Sequence, residues 1–279
     1  MIGSLNFCCL TLTYGRIYLK GLERFKHDAL LQARGNFDVS VALPLKLRPD
    51  LAWWLNNLPG ARSPIRRPSF SLKIFSDASS TGWGASCSGQ STGGLWTPDE
   101  RLLHINVLEL IAARFALACF ATERQDCDIL LRIDNTSALA YINKMGGLQS
   151  SSLHQESRLF WQWCEQRRIF VVASYIASAE NSDADYASRH FNLDTEWELA
   201  DSAFKLITKT LAQPVVDLFA SRGNAKCTRF FSWFPDPGAD AVDAFTQDCG
   251  LVGFFWAFPP FALILRTLRK ILSDRARGI

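Results

Sequence analysis

The chain has 279 residues, 48% of them hydrophobic and 20% charged, with 30 Lys plus Arg against 27 Asp plus Glu for a net charge of +3. Such a composition excludes a disordered tail and creates no overall field that demands a polyanionic partner. No apolar run approaches the roughly 18–20 uncharged residues of a membrane span, and the opening MIGSLNFCCLTLTYGR lacks the basic, apolar, small order of a secretory signal, so an intracellular protein is expected.

Eight cysteines are present, yet Cys8-Cys9 is the only close pair and there is no C-x-x-C. Reduced, mostly buried thiols are expected rather than disulfides or zinc. The first 70 residues read as helical pieces: YGRIYLKGLERFKHDALLQAR carries apolar residues at helical spacing, and LRPDLAWWLNNLPG is read as a helix that starts after Pro49 and stops at Pro59-Gly60. A Pro- and Arg-rich stretch follows at 61–69, where Arg62, Arg66 and Arg67 are either a grip for a polyanion or a solvated linker.

From residue 70 the pattern becomes richer. Leu72, Ile74 and Phe75 lead up to Asp77 in a strand over 71–76; Gly82-Trp83-Gly84-Ala85 starts a second strand, over 82–88, whose glycines leave room for close approach; a third lies around Leu95-Trp96, after a turn in SGQSTGG. HINVLELIAARFALACFA is apolar nearly all round, a helix packed on the sheet. CDILLRID, NTSALAYINKMGG, SSLHQESRLFWQWCEQRR and IFVVASYI then read as strand, helix, helix, strand. The outcome is an α/β chain with a mixed sheet and helices on its faces. Residues 191–213 read as an amphipathic spacer helix, and after Pro214 the chain turns to aromatics, Pro and Asp. Trp83 and Trp96 are expected in the core.

Acids stand out against this background. Asp77 is a turn former or a metal ligand, and Asp134 ends an apolar strand before a helix. Glu109 sits among Val107, Leu108, Leu110 and Ile111, where a charge is costly without a partner, and either Asp183 or Asp185 follows the last strand. Each alone has an ordinary explanation as turn, cap or ion pair. Gathered at one sheet end, four negative charges need divalent cations between them, the layout for two hard ions about 3.5–4 Å apart that serve phosphodiester hydrolysis.

The ordered motifs S-D-A-S…G-W-G-A, L-E-L, I-D-N-x-x-A-L-A-Y-I-N-K and N-x-x-A-D-Y-x-S-R resemble the ribonuclease H domain of retrotransposon polyproteins, above all DIRS-like and gypsy-type elements. The resemblance covers about residues 70–190. It implies an RNase H fold, an α/β architecture with a five-stranded mixed sheet and helices on both faces, that cuts the RNA strand of an RNA–DNA hybrid with two Mg²⁺ or Mn²⁺ ions. By motif, Asp77, Glu109, Asp134 and Asp185 take the metal-ligand positions, Asp185 being the Asp of the A-D pair. Asn135, Asn143 and Lys144, beside Asp134, are candidates for strand contacts or simply solvated surface.

Residues 1–69 resemble the connection that follows a reverse transcriptase, and a polymerase domain in a longer polyprotein is the implied partner. The Y-x-D-D polymerase motif is absent, so no polymerisation is expected of this chain. Residues 214–279 resemble a partial Dam-like adenine methyltransferase segment, joined through 191–213. There Phe258 precedes Pro259-Pro260 where a working enzyme has Asp or Asn, and methyl transfer is not expected. Two departures bear on the nuclease: Ala177-Ser178 stands where such elements carry Pro-Gly, and no histidine lies between Tyr175 and Asp185. They favour the alternative of a catalytically decayed or co-opted module that still binds nucleic acid.

Overall fold

The structure, a computed structural model, describes residues 1–62, 69–191 and 197–279. Arg66 and Arg67 lie outside the described residues, as does part of the expected spacer helix. Contact density divides the chain into two compact units, Met1–Lys73 with Glu109–Ile111 and Arg124–Ile176, and Ile74–Leu108 with Ala112–Glu123 and Ala177–Ile279. Residues 70–190 contribute to both.

In the first unit α1 (Ile2–Cys8), α2 (Gly15–Gln32) and α3 (Arg48–Asn57) precede β4 (Asp128–Ile133), α5 (Thr136–Asn143), α6 (Ser151–Gln166) and β5 (Phe170–Tyr175). β4 and β5 pair in parallel, Ile129 opposite Val171 and Leu131 opposite Ala173. Alternate residues Ile129, Leu131 and Ile133 are buried, the period-2 pattern of a strand with one face on a core. Ile17, Leu19 and Leu22 of α2 are buried too. A polar lock ties α2 and α3 to α6: Tyr18 and the Trp53 indole both donate to Glu165, at 2.5 and 2.7 Å, while Arg158 donates to the buried Asp50 at 2.5 Å. The Tyr18 and Trp53 rings stack at 4.3 Å. The N-terminal helices are thus fastened to α6 by hydrogen bonds as well as by apolar packing.

The second unit holds most of β1 (Phe70–Ala78), then β2 (Gly82–Cys87), β3 (Gln90–Leu95), most of α4 (Ile105–Phe120), α7 (Ser182–Arg189) and α8 (Asp201–Thr210). β1 to β5 make one mixed five-stranded sheet in the order β3-β2-β1-β4-β5. Two expectations are corrected here. SGQSTGG is mostly strand β3, because Ser88 and Gly89 alone, with φ of 52° and 81°, close the hairpin; two consecutive left-handed residues match the twist of paired strands. Among the described residues of the expected spacer helix, α8 is the helical part, since residues 197–200 and 211–213 are not helical. Trp83 and Trp96 are buried as expected, Trp83 edge-on to Phe115 at 5.4 Å and Trp96 donating its indole N–H to the Ser79 carbonyl at 2.9 Å.

The C-terminal residues build a second, four-stranded sheet, order β8-β7-β6-β9, from β6 (Val216–Asp217), β7 (Arg229–Ser232), β8 (Ala241–Val242) and β9 (Phe255–Trp256), all paired in parallel, with α9 (Ile264–Ser273) after them. Val216, Leu218, Phe231, Ala244, Cys249 and Phe255 form its core. Arg222 fastens this segment within the unit: its guanidinium bonds both Glu100 oxygens, at 3.0 and 2.9 Å, and lies over Phe115. All eight cysteines are free, three buried and five partly exposed, so burial is less general than expected.

Candidate metal centre

Asp77 is not in a turn. β1 runs on through Asp77 and Ala78, which pair with Gly84 and Trp83 of β2, and the turn begins only at Ser79, whose hydroxyl accepts from the Thr81 and Gly82 amides. The carboxylate is therefore presented by a central strand and is 3% exposed. Asp134 follows β4, the neighbouring strand, and does not cap α5; Asn135 does, its side-chain oxygen accepting from the Ala138 amide at 2.9 Å. Glu109 lies in the apolar helix α4 and is 5% exposed.

Asp77, Glu109 and Asp134, far apart in sequence, each offer a carboxylate oxygen, and the three oxygens lie within 4.8 Å of one another. Three like charges so close, two of them buried, are unfavourable unless a cation or shared protons intervene. The donor set is all oxygen and anionic, with no imidazole or thiolate, which suits Mg²⁺ or Mn²⁺ rather than zinc. Its chemistry thus fits a hard divalent ion.

Asp185 is not among these three. It lies in the first turn of α7, and one of its carboxylate oxygens accepts from Arg189 at 2.7 and 2.9 Å, with the side chain 39% exposed. What α7 brings to the centre instead is Ser188, which donates its hydroxyl to Asp77 Oδ2 at 2.6 Å. Asn181, also buried, donates its side-chain amide to the Ser76 carbonyl at 3.0 Å. Both residues belong to the N-x-x-A-D-Y-x-S-R motif, but nothing local in the sequence reveals that their side chains reach β1.

The close approach foreseen at the glycines is made by α7. A Cβ on Gly84 would stand 2.1 Å from the Ala184 carbonyl oxygen and 2.4 Å from the Ser188 nitrogen, and one on Gly93 would stand 2.5 Å from the Ala187 carbonyl oxygen. Backbone lies directly on backbone there, as only glycine permits.

Of the residues read as strand contacts, Asn135 serves as the cap described above. Asn143 spends its amide on edge strand β5, donating to the Ala173 carbonyl at 2.8 Å and accepting from the Ala173 amide at 3.0 Å, which satisfies an edge that would otherwise be open. Lys144 is exposed, as is Arg62. Among the described residues no helix is long and apolar enough to cross a membrane.

No family model and no curated protein matches this chain. Solved structures do. RNase H1 from the halophilic archaeon Halobacterium salinarum NRC-1 is 18% identical over 42% of this chain and 96% of its own, with a TM-score of 0.36. LC11-RNase H1 in complex with an RNA/DNA hybrid is 16% identical over 42% and 93%, also at 0.36. The prototype foamy virus protease-reverse transcriptase is 14% identical over 58% of this chain and 24% of its own, at 0.26.

Proposed function

We propose that the protein is a metal-dependent endonuclease that hydrolyses the RNA strand of RNA–DNA hybrids, derived from a retrotransposon reverse transcriptase/RNase H polyprotein. The observation that carries this reading is the meeting of Asp77, Glu109 and Asp134 within 4.8 Å. Bound there, two Mg²⁺ or Mn²⁺ ions would activate a water and stabilise the leaving oxygen of a phosphodiester. The three carboxylates would hold the ions and compensate their charge. Asp185, once released from Arg189, would be the fourth ligand. Phosphate and 2′-hydroxyl contacts serve recognition, with Lys144, Arg66 and Arg67 proposed as backbone contacts; Asn135 and Asn143 would join them only with the side-chain atoms not used in the α5 cap and the β5 edge. The order of the motifs supports the choice of substrate and the retroelement origin.

The Asp185–Arg189 pair favours one alternative, a decayed or co-opted module that binds nucleic acid without cutting it. One assay separates the two. The purified protein is expected to cleave the RNA strand of a labelled hybrid in Mg²⁺ or Mn²⁺, with Asp134→Asn lowering the rate about a hundred- to a thousandfold, in line with the loss of a transition-state charge stabiliser. A folded wild-type protein that binds hybrid but leaves it intact in both metals selects the alternative.

A further inference from the structure

Ser188 is fully buried near the end of α7 and is held on three sides. Its carbonyl accepts from the Ser79 hydroxyl at 2.6 Å, and its amide nitrogen lies over Gly84, where even a Cβ would not fit. Its own hydroxyl lies 2.6 Å from Asp77 Oδ2 and 2.9 Å from the Asp185 carbonyl. A hydroxyl has a single proton, and between a carboxylate and a neutral carbonyl the charged acceptor makes the stronger bond. The backbone is thus anchored independently of the side chain, leaving the side chain to act on Asp77.

We infer that Ser188 is a positioning residue for the metal centre: its hydroxyl sets the rotation of the Asp77 carboxylate toward Glu109 and Asp134, and so couples α7 to divalent-ion affinity. The inference rests on reading the three carboxylates as a metal centre. A hydrogen bond on one oxygen fixes the plane of the group and so the direction in which its other oxygen faces. Groups that hold a ligand from behind in this way commonly change metal affinity 10- to 100-fold.

The test is Mn²⁺ binding to the full chain without nucleic acid, followed by calorimetry, alongside thermal unfolding in metal-free buffer. Ser188→Ala is expected to weaken Mn²⁺ binding about tenfold, and Asp77→Asn to abolish it. Ser79→Ala removes an anchor of the same helix turn but no bond to Asp77, and is expected to keep wild-type affinity even where it lowers the unfolding temperature. If Ser188→Ala does not fold, Ser188→Cys, of similar shape but a weak donor, decides in its place. Wild-type affinity in the Ser188 variants overturns the inference while Asp77→Asn still loses binding, and so does an equal loss in Ser79→Ala. A folded wild-type chain that binds no Mn²⁺ overturns both the inference and the reading beneath it.

Discussion

Gly84 and Gly89 lie in the same hairpin, yet for opposite reasons neither tolerates a side chain. Gly89 has open space around it but φ of +81°, so alanine there meets only conformational strain. Gly84 has ordinary backbone angles and no space at all, because the Ala184 carbonyl and the Ser188 amide would fall at 2.1 and 2.4 Å from a new Cβ. Strain of the first kind costs about 1 kcal/mol, whereas overpacking against backbone costs about 3 kcal/mol. Gly84→Ala is therefore expected to lower the urea midpoint well beyond Gly89→Ala, and equal midpoints would show that α7 does not lie on β2. At this scale the sequence was partly legible. Gly82-Trp83-Gly84-Ala85 announced that something approaches, and Glu109 announced itself as a charge in an apolar helix. That the approaching element is α7, and that Ser188 meets Asp77 from 111 positions away, was not legible. Local pattern carries no information about which distant backbone arrives.

Between elements, the polar lock on α6 is the feature with the clearest energetic consequence. Asp50 is 1% exposed and receives Arg158, whose own charge is half-buried. Removing one partner of such a pair leaves the other charge desolvated, at a cost of about 3 kcal/mol. Asp50→Ala is expected to cost that much in equilibrium unfolding, and a loss below about 0.5 kcal/mol, the scale of an exposed pair, would mean that α3 is only loosely attached to α6. Strands and helices themselves were largely predictable. β4 and β5 showed themselves as short apolar runs, and α4 as a helix apolar nearly all round. The hairpin between β2 and β3 was misplaced because its Gly-rich second strand, QSTGG, carries turn composition, and pairing with β2 overrides that local preference.

For the molecule as a whole, the Glu100–Arg222 pair predicts that the attachment of the C-terminal segment weakens in acid. Burial raises the Glu100 carboxyl, but the two Arg222 hydrogen bonds and those from Thr97 outweigh it and hold the group below its ordinary value of 4.5. A carboxylate with a depressed folded pKa contributes stability that is fully present above the unfolded value and is lost as pH falls through the folded one. Hydrogen exchange in residues 214–236 is expected to quicken as pH is lowered from about 6 to below 4.5, once corrected for the intrinsic rate. In Glu100→Gln this extra quickening is expected to be absent. The same acceleration in both proteins would place the acid sensitivity elsewhere.

The sequence by itself determined the composition of the sheet, the helical nature of the N-terminal segment and which acids were worth watching, because alternation, helical spacing and a charge in an apolar run are imposed by local geometry and solvation. Only the tertiary structure decided that Asp77, Glu109 and Asp134 converge while Asp185 turns to Arg189, and that Asn135 and Asn143 spend their side chains on a helix cap and a sheet edge. Convergence depends on strand order and on the line of approach of α7, and those are set by the packing of surfaces that are distant in the chain.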